Sequence, residues 1–273
     1  MPATIPQPNG SRGHIPIFSD RVTMQMPLFS MRKRPSLRPH VYSGSGASFR
    51  VKPCETGVPT IWDRDIIIYI TSHLLAGRST SRVLSVRAHN LLRVTRRSTG
   101  VKGYEGLMNA LYRLRHAQIE TSIGQQDAGS SARVSWLDDY IVNYRTCSTG
   151  TPQMSGITVT LSQWAYDLLL SGDPSPVSAD YFSLTGGLER RLYELTIAHC
   201  DEGSTWTVPL RTLATDAGSD QCNLRRFKFD VKAISTRNSL PGISIHLLEE
   251  RSGCLVQFSR VSHSETCKSP MKV

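Results

Sequence analysis

One order of secondary-structure signals is written twice in this chain, and the repetition narrows the fold more than any other feature. In the first pass, TIWDRDIIIYITSHLLAG (Thr60–Gly77) opens with possible caps at Thr60 and Asp63 and stops at Gly77. Ile66, Ile67, Ile70 and Leu74 recur at helical spacing, and Ile68 and Tyr69 make a second face apolar, so burial on more than one side is expected. A short strand, VLSV (Val83–Val86), and a helical stretch, Arg87–Arg97, follow. After the turn STGVKG, the next helix places Leu107, Ala110, Leu111 and Leu114 on one face. Strand-like runs come at Gln118–Ile123, Arg133–Arg145 and Gly156–Leu161. SQWAYDLLLSG (Ser162–Gly172) closes this half, and DPSPVS reads as a linker.

The second pass repeats the order with different residues. LERRLYELTIAHC (Leu188–Cys200) is amphipathic, with Leu188, Leu192, Leu195 and Ile197 apolar. Val208–Ala217 is a short helix before Gly218, and Ser219 or Asp220 is placed to cap QCNLRRFKFDVKAIS. Two strands, Gly242–Leu248 and Gly253–Arg260, flank the charged turn EERSG. Helix, short strand, helix, turn, helix, hairpin is the order of a winged helix-turn-helix. The expected fold is therefore α+β, with tandem winged helix-turn-helix domains over residues 27–172 and 179–261 and a linker at 173–178. Residues 1–26 and 262–273, rich in Pro, Gly, Ser and Thr, are expected to be disordered tails. GSGAS (Gly44–Ser48) lacks the lysine of a phosphate loop and reads as a linker.

Charge indicates the partner. The 32 Lys and Arg outnumber the 22 Asp and Glu, for a net +10, and the excess is clustered. Arg82–His116 holds eight basic residues and one acid, Gln221–Asn238 holds five and one, and Arg32–Arg50 holds no acid. Such runs favour a polyanion, with nucleic acid first. Along the last helix, Leu224, Phe227, Val231 and Ile234 share one sector, while Gln221, Arg225, Lys228 and Lys232 share another. An apolar stripe that seats a helix beside a basic stripe suits a major-groove recognition helix. Arg225 suits guanine edges; Lys228 and Lys232 suit phosphates. Arg226 and Arg237 add charge to the same helix, and Arg251 lies at the tip of the hairpin behind it. In the first half Lys102, Tyr112, Arg113 and Arg115 lie off the leucine face and are the matching candidates. Phe229 falls near the outer face, with no role evident from the sequence.

Chemical machinery is not evident. No HxH, phosphate-loop, GxSxG or HExxH motif occurs, so no enzyme activity, cofactor or metal is expected. Asp63 and Asp65 read as helix-start acids, and Asp138 and Asp139 as surface charge. The six cysteines include no CxxC pair and are expected to be reduced; His199, Cys200 and Cys222 fit no zinc spacing. The longest apolar run, Ile66–Ile70, is too short to span a bilayer, and without an export signal a cytoplasmic protein is expected.

Four blocks, IWDRDIIIYITSHL, GYEGLMNALYRLRHAQIETSI, ITVTLSQWAYDLL and YFSLTGGLERRLYELTIAHC, resemble in their order the signature blocks of the bacterial plasmid replication initiator protein A family. The resemblance spans roughly residues 27–260 and weakens over Asp201–Asn238. It implies tandem winged helices on double-stranded origin DNA with direct repeats, opening of an AT-rich segment, and recruitment of host helicase and other replication proteins without catalysis. Family members also exchange a homodimer for monomers, and the Ile66–Leu74 helix or the first hairpin would serve as such a surface. A winged-helix transcriptional repressor on a promoter palindrome and a scaffold that grips acidic proteins are the competing readings. QMPLF is read two ways. Leu28 and Phe29 either pack where the first domain begins, or join Gln25 as a peptide held by the host sliding clamp.

Overall fold

The isoleucine-rich helix of the first half is where the two halves meet. The computed structural model describes residues 15–44, 47–77, 80–121, 132–146, 150, 152–171, 173–219, 223–251 and 253–261. Its first elements are strand β1 (Phe18–Asp20), one helical turn α1 (Arg21–Gln25), and strands β2 (His40–Gly44) and β3 (Ala47–Lys52). Helix α2 (Arg64–Ala76), strand β4 (Val83–Val86) and helices α3 (Ala88–Val94) and α4 (Val101–His116) follow. Strands β5 (Gln118–Thr121) and β6 (Ala132–Val134), the hairpin β7 (Leu137–Thr146) and β8 (Pro152–Leu161), and helix α5 (Gln163–Ser171) complete the first half.

The second half comprises β9 (Pro174–Pro176), a 3-10 turn at Ala179–Ser183, α6 (Gly187–His199), β10 (Thr205–Pro209), α7 (Leu210–Asp216), α8 (Leu224–Arg237), and the hairpin β11 (Ile243–Glu250) and β12 (Gly253–Arg260). The fold is thus mixed α and β. Each half holds an antiparallel three-stranded sheet, ordered β4-β8-β7 and β10-β12-β11. In both, the strand that precedes the pair of helices lies against the last strand of the hairpin, so the order repeated in the sequence is also a repeated strand topology. A separate sheet, β2-β3-β5-β6, flanks the first half.

Three sequence expectations are corrected here. Gly44, Ala47 and Ser48 of the GSGAS stretch lie in the paired strands β2 and β3, Gly44 opposite Ala47, so the stretch belongs to one sheet and is no linker between domains. Residues 15–26, expected to be a disordered tail, carry β1 and α1. The segment expected to be the linker carries β9, which pairs antiparallel with β1, Ser19 opposite Ser175. Proline is tolerated in β9 because the ribbon has only two strands. Residues 1–14 and 262–273 lie outside the described residues.

Two hydrophobic cores form. Leu107, Leu111, Leu114, Trp136, Ile157 and Val159 centre the first; Leu192, Leu195, Leu213, Val231, Val256 and Phe258 centre the second. Helix α2 serves both, with Ile66, Ile67 and Ile70 in the first and Ile68 in the second. It is covered by the chain's own residues, which removes it as a dimer surface.

Beside this apolar contact lies a cluster of buried charge. Arg190 on α6 donates to Asp65 on α2 at 2.5 Å and to the carbonyl oxygens of Leu184 (2.8 Å) and Phe182 (3.2 Å). Arg64 Nε sits 3.0 Å from Glu194 Oε1, which also accepts the Tyr181 hydroxyl at 2.6 Å. Arg191, 1% exposed, donates to the carbonyls of Met24 (2.6 Å), Gln25 (2.8 Å) and Asp216 (2.7 Å). Burial pushes the Asp65 carboxyl up to about 6, with Arg190 and Arg97 pulling the other way. Helix α6 is therefore not amphipathic with a solvated face. Its polar side is buried against α2 and the N-terminal arm, and the acids Asp63 and Asp65 do more than begin a helix.

The same arm settles QMPLF. Leu28 and Phe29 are buried, and the Phe29 ring stacks on Trp136 with centroids 4.9 Å apart and lies 5.5 Å from the Arg64 guanidinium. Gln25 is exposed and takes part through its backbone oxygen. The clamp-peptide reading of Gln25, Leu28 and Phe29 is corrected, because the anchors it needs are already packed inside the protein. A Cβ at Gly187 would collide with the Met31 carbonyl, so only glycine lets the arm cross the start of α6.

Arg190→Met alone is predicted to cost about 3–5 kcal/mol in urea unfolding, because Asp65 is left buried without its partner. The pair Asp65→Leu with Arg190→Met should recover most of that loss. Phe29→Ala should cost about 3–5 kcal/mol in the same measurement.

Candidate nucleic-acid interface

Helix α8 is built as the sequence implies, except at its start. Asn223, rather than Ser219 or Asp220, is the cap, its side chain accepting the Arg226 N–H at 3.0 Å. At the other end Asn238 takes the left-handed conformation, φ 46°, that closes many helices. Phe227, Val231 and Ile234 are buried in the second core, which turns the opposite side to solvent.

The proposed contact residues separate into two groups. Arg225 and Lys232 are exposed and form no ion pair among the described residues. Arg251 is exposed in the turn between β11 and β12. The other three cations of α8 are paired with acids of the chain at its surface. Lys228 reaches Glu249 on β11 at 2.6 Å, and that hydrogen bond raises the lysine's pKa. Arg226 pairs with Asp230 at 3.1 Å, and Arg237 pairs with Glu189 on α6 at 3.1 Å, tying the end of α8 to the start of α6. Gln221 lies outside the described residues.

In the first half, Lys102 is exposed in the first turn of α4. Tyr112 is half-buried, its ring 4.3 Å from that of His116; burial and the neighbouring Glu55 raise its phenol pKa. Arg115 is half-buried on the flank of the helix. Arg113 is the clear correction. It is buried and grips both oxygens of Asp63, at 2.8 Å each, so it holds α4 to the start of α2 and has no reach to an outside partner. Its place in the sequence, off the leucine stripe, resembled that of a surface residue because its acidic partner lies fifty positions away.

Sequence reasoning missed other exposed groups. Asn109 and His116 share the outward side of α4 with Glu105. Arg32, Lys33, Arg34 and Arg38 form an exposed basic loop near Trp62, with Lys33 Nζ 6.0 Å from that ring. The basic run from Arg32 signalled this loop, although without a defined place. Among the described residues no group of three His, Cys, Asp or Glu side chains is placed to hold a metal. Cys54, Cys200 and Cys254 carry free thiols. No described helix is long and apolar enough to cross a membrane.

Residues 19–245 match the family described as replication initiator protein A, and the chain belongs to that family. It is 26% identical over 230 residues to a protein of Wigglesworthia glossinidia brevipalpis that has been assigned to replication; the match covers 82% of each chain. In structure it is similar to selenomethionine derivatives of domains 2 and 3 of RctB, with TM-score 0.57 and 14% identity over 87% of this chain and 95% of that one. A second structure of RctB domains 2–3 matches with TM-score 0.52 and 15% identity, over 89% and 97% of the two chains. At that identity the likeness is one of fold.

Arg113→Ala is predicted to destabilise the protein by about 3–5 kcal/mol. Arg225→Ala should leave stability within about 0.5 kcal/mol. Thermal melts of the two variants side by side separate an internal arginine from a surface one.

Proposed function

We propose that the chain is a plasmid replication initiator of two tandem winged-helix domains that binds repeated double-stranded sites in its origin. Binding at the repeats promotes opening of an AT-rich segment and brings in host helicase, and the protein itself neither cuts nor hydrolyses DNA. The observation that carries this reading is helix α8. It follows a short helix and a turn, stands in front of a hairpin, and presents Arg225 and Lys232, which form no ion pair among the described residues. Membership of the initiator family supports the role. The repeated strand order supports the tandem domain reading.

Lys228, tethered to Glu249, ties the recognition helix to its hairpin and so presets the angle between them. Arg251 at the hairpin tip is within the reach expected of a wing to an adjacent phosphate. In the first half Lys102 is the exposed cation of the corresponding helix, and Arg115 supports it from the flank.

Each phosphate contact releases counterions, so log affinity falls with log salt by about 0.9 per contact. Arg225→Glu with Lys232→Glu is predicted to abolish footprints on direct repeats near the gene while leaving the melting temperature unchanged. Lys232→Ala should flatten the salt slope by about 1, whereas Arg225→Ala should relax the preference for the repeat over other sequences. An origin-only plasmid supplied with the protein in trans tests the role itself: replication supports it. Binding to a promoter palindrome with no plasmid maintenance would indicate a repressor instead.

A further inference from the structure

Phe229 on α8 is 64% exposed. At about 100° per residue it lies diametrically away from the seat formed by Phe227, Val231 and Ile234, with Arg225, Lys232 and Thr236 around it. Among the described residues Phe229 is the one exposed phenylalanine, and it stands at the centre of a basic face. Its ring is also held. The Arg226 guanidinium lies over it, 5.4 Å from the centroid, and is itself fixed by Asp230 at 3.1 Å. Arg226 is thereby occupied in orienting the ring.

Phosphates offer nothing to an aromatic ring. The apolar group that the major groove presents to a helix is the thymine 5-methyl, and phenylalanine is among the side chains that pack on it. We propose that Phe229 is a specificity-determining residue that reads thymine through its 5-methyl group, with Arg226 and Asp230 as positioning residues that preset the ring. The inference rests on the major-groove reading of α8. It adds to that reading an apolar base contact, made by a residue with no charge.

Uracil is thymine without the methyl group and tests the contact directly. A fragment carrying the origin's direct repeats is amplified with dTTP or with dUTP, and binding of the wild type, Phe229→Ala and Phe229→Leu is compared by gel shift. The wild type should bind the uracil fragment about four- to fifteenfold more weakly, the scale of one or two buried methyl groups. Phe229→Ala should lose a similar factor on the thymine fragment and no longer distinguish the two. Phe229→Leu should keep part of the distinction, and melting temperatures should not move, since the ring is on the surface. Equal wild-type binding to the two fragments overturns the methyl contact and leaves the DNA-binding reading intact, as does a full thymine preference in Phe229→Ala. Failure of the wild type to shift either fragment overturns both.

Discussion

Two ion pairs taken out of water, Asp65 with Arg190 and Arg64 with Glu194, fix how the halves of this protein sit against each other. Neither pair has solvent to fall back on. Sliding α6 along α2 by one turn would strand a charge in an apolar setting, and that penalty is larger than the energy of the pair itself. Arginine suits this place because its planar fork serves several acceptors at once. Arg190 satisfies a carboxylate and two carbonyl groups, and Arg191 bridges the arm to the end of α7. The cluster therefore selects one arrangement, while the isoleucines of α2 supply the burial that makes any arrangement favourable.

This division matters for the basic face of α8. That helix is seated by Phe227, Val231 and Ile234, held to its hairpin by Lys228 and to α6 by Arg237. Because α6 is locked to α2, the orientation of α8 is set relative to the whole molecule. Three of the five cations on α8, Arg226, Lys228 and Arg237, pair with acids of the chain. The other two, Arg225 and Lys232, form no ion pair among the described residues. Counting charge along the sequence overstates what the surface offers, since cations that pair inside the protein contribute to position and not to attraction.

What was legible followed from local periodicity. The helices of Ile66–Leu74 and Leu224–Ile234 were apparent because apolar residues recur at the helical period within one short window. The hairpins were apparent because their strands adjoin. What was not legible depended on distant partners. Arg113, Arg190 and Arg191 carry the same label of exposed charge as Arg225 until Asp63, Asp65 and the carbonyls of the arm are placed beside them. The proline-bearing DPSPVS reads as a linker by composition and becomes a strand only because β1 lies next to it. QMPLF was ambiguous for the same reason, since Trp136 lies far along the chain.

The ribbon of β1 and β9 also has a consequence in time. Arg21 Nε donates to Ser175 Oγ at 2.8 Å, across a sequence separation of 154 residues. During synthesis the first strand has no partner until its mate emerges, which at ordinary ribosomal rates takes about 10 to 30 s. The closing elements of the first core, β8 and α5, emerge only just before that mate, so the ribbon forms as the first core closes. Closing so long a loop carries only a modest further entropy cost, because that cost grows with the logarithm of length. The arm thus waits first for β9 and then for Arg191 on α6, and its docking joins the closing of the first half to the building of the second.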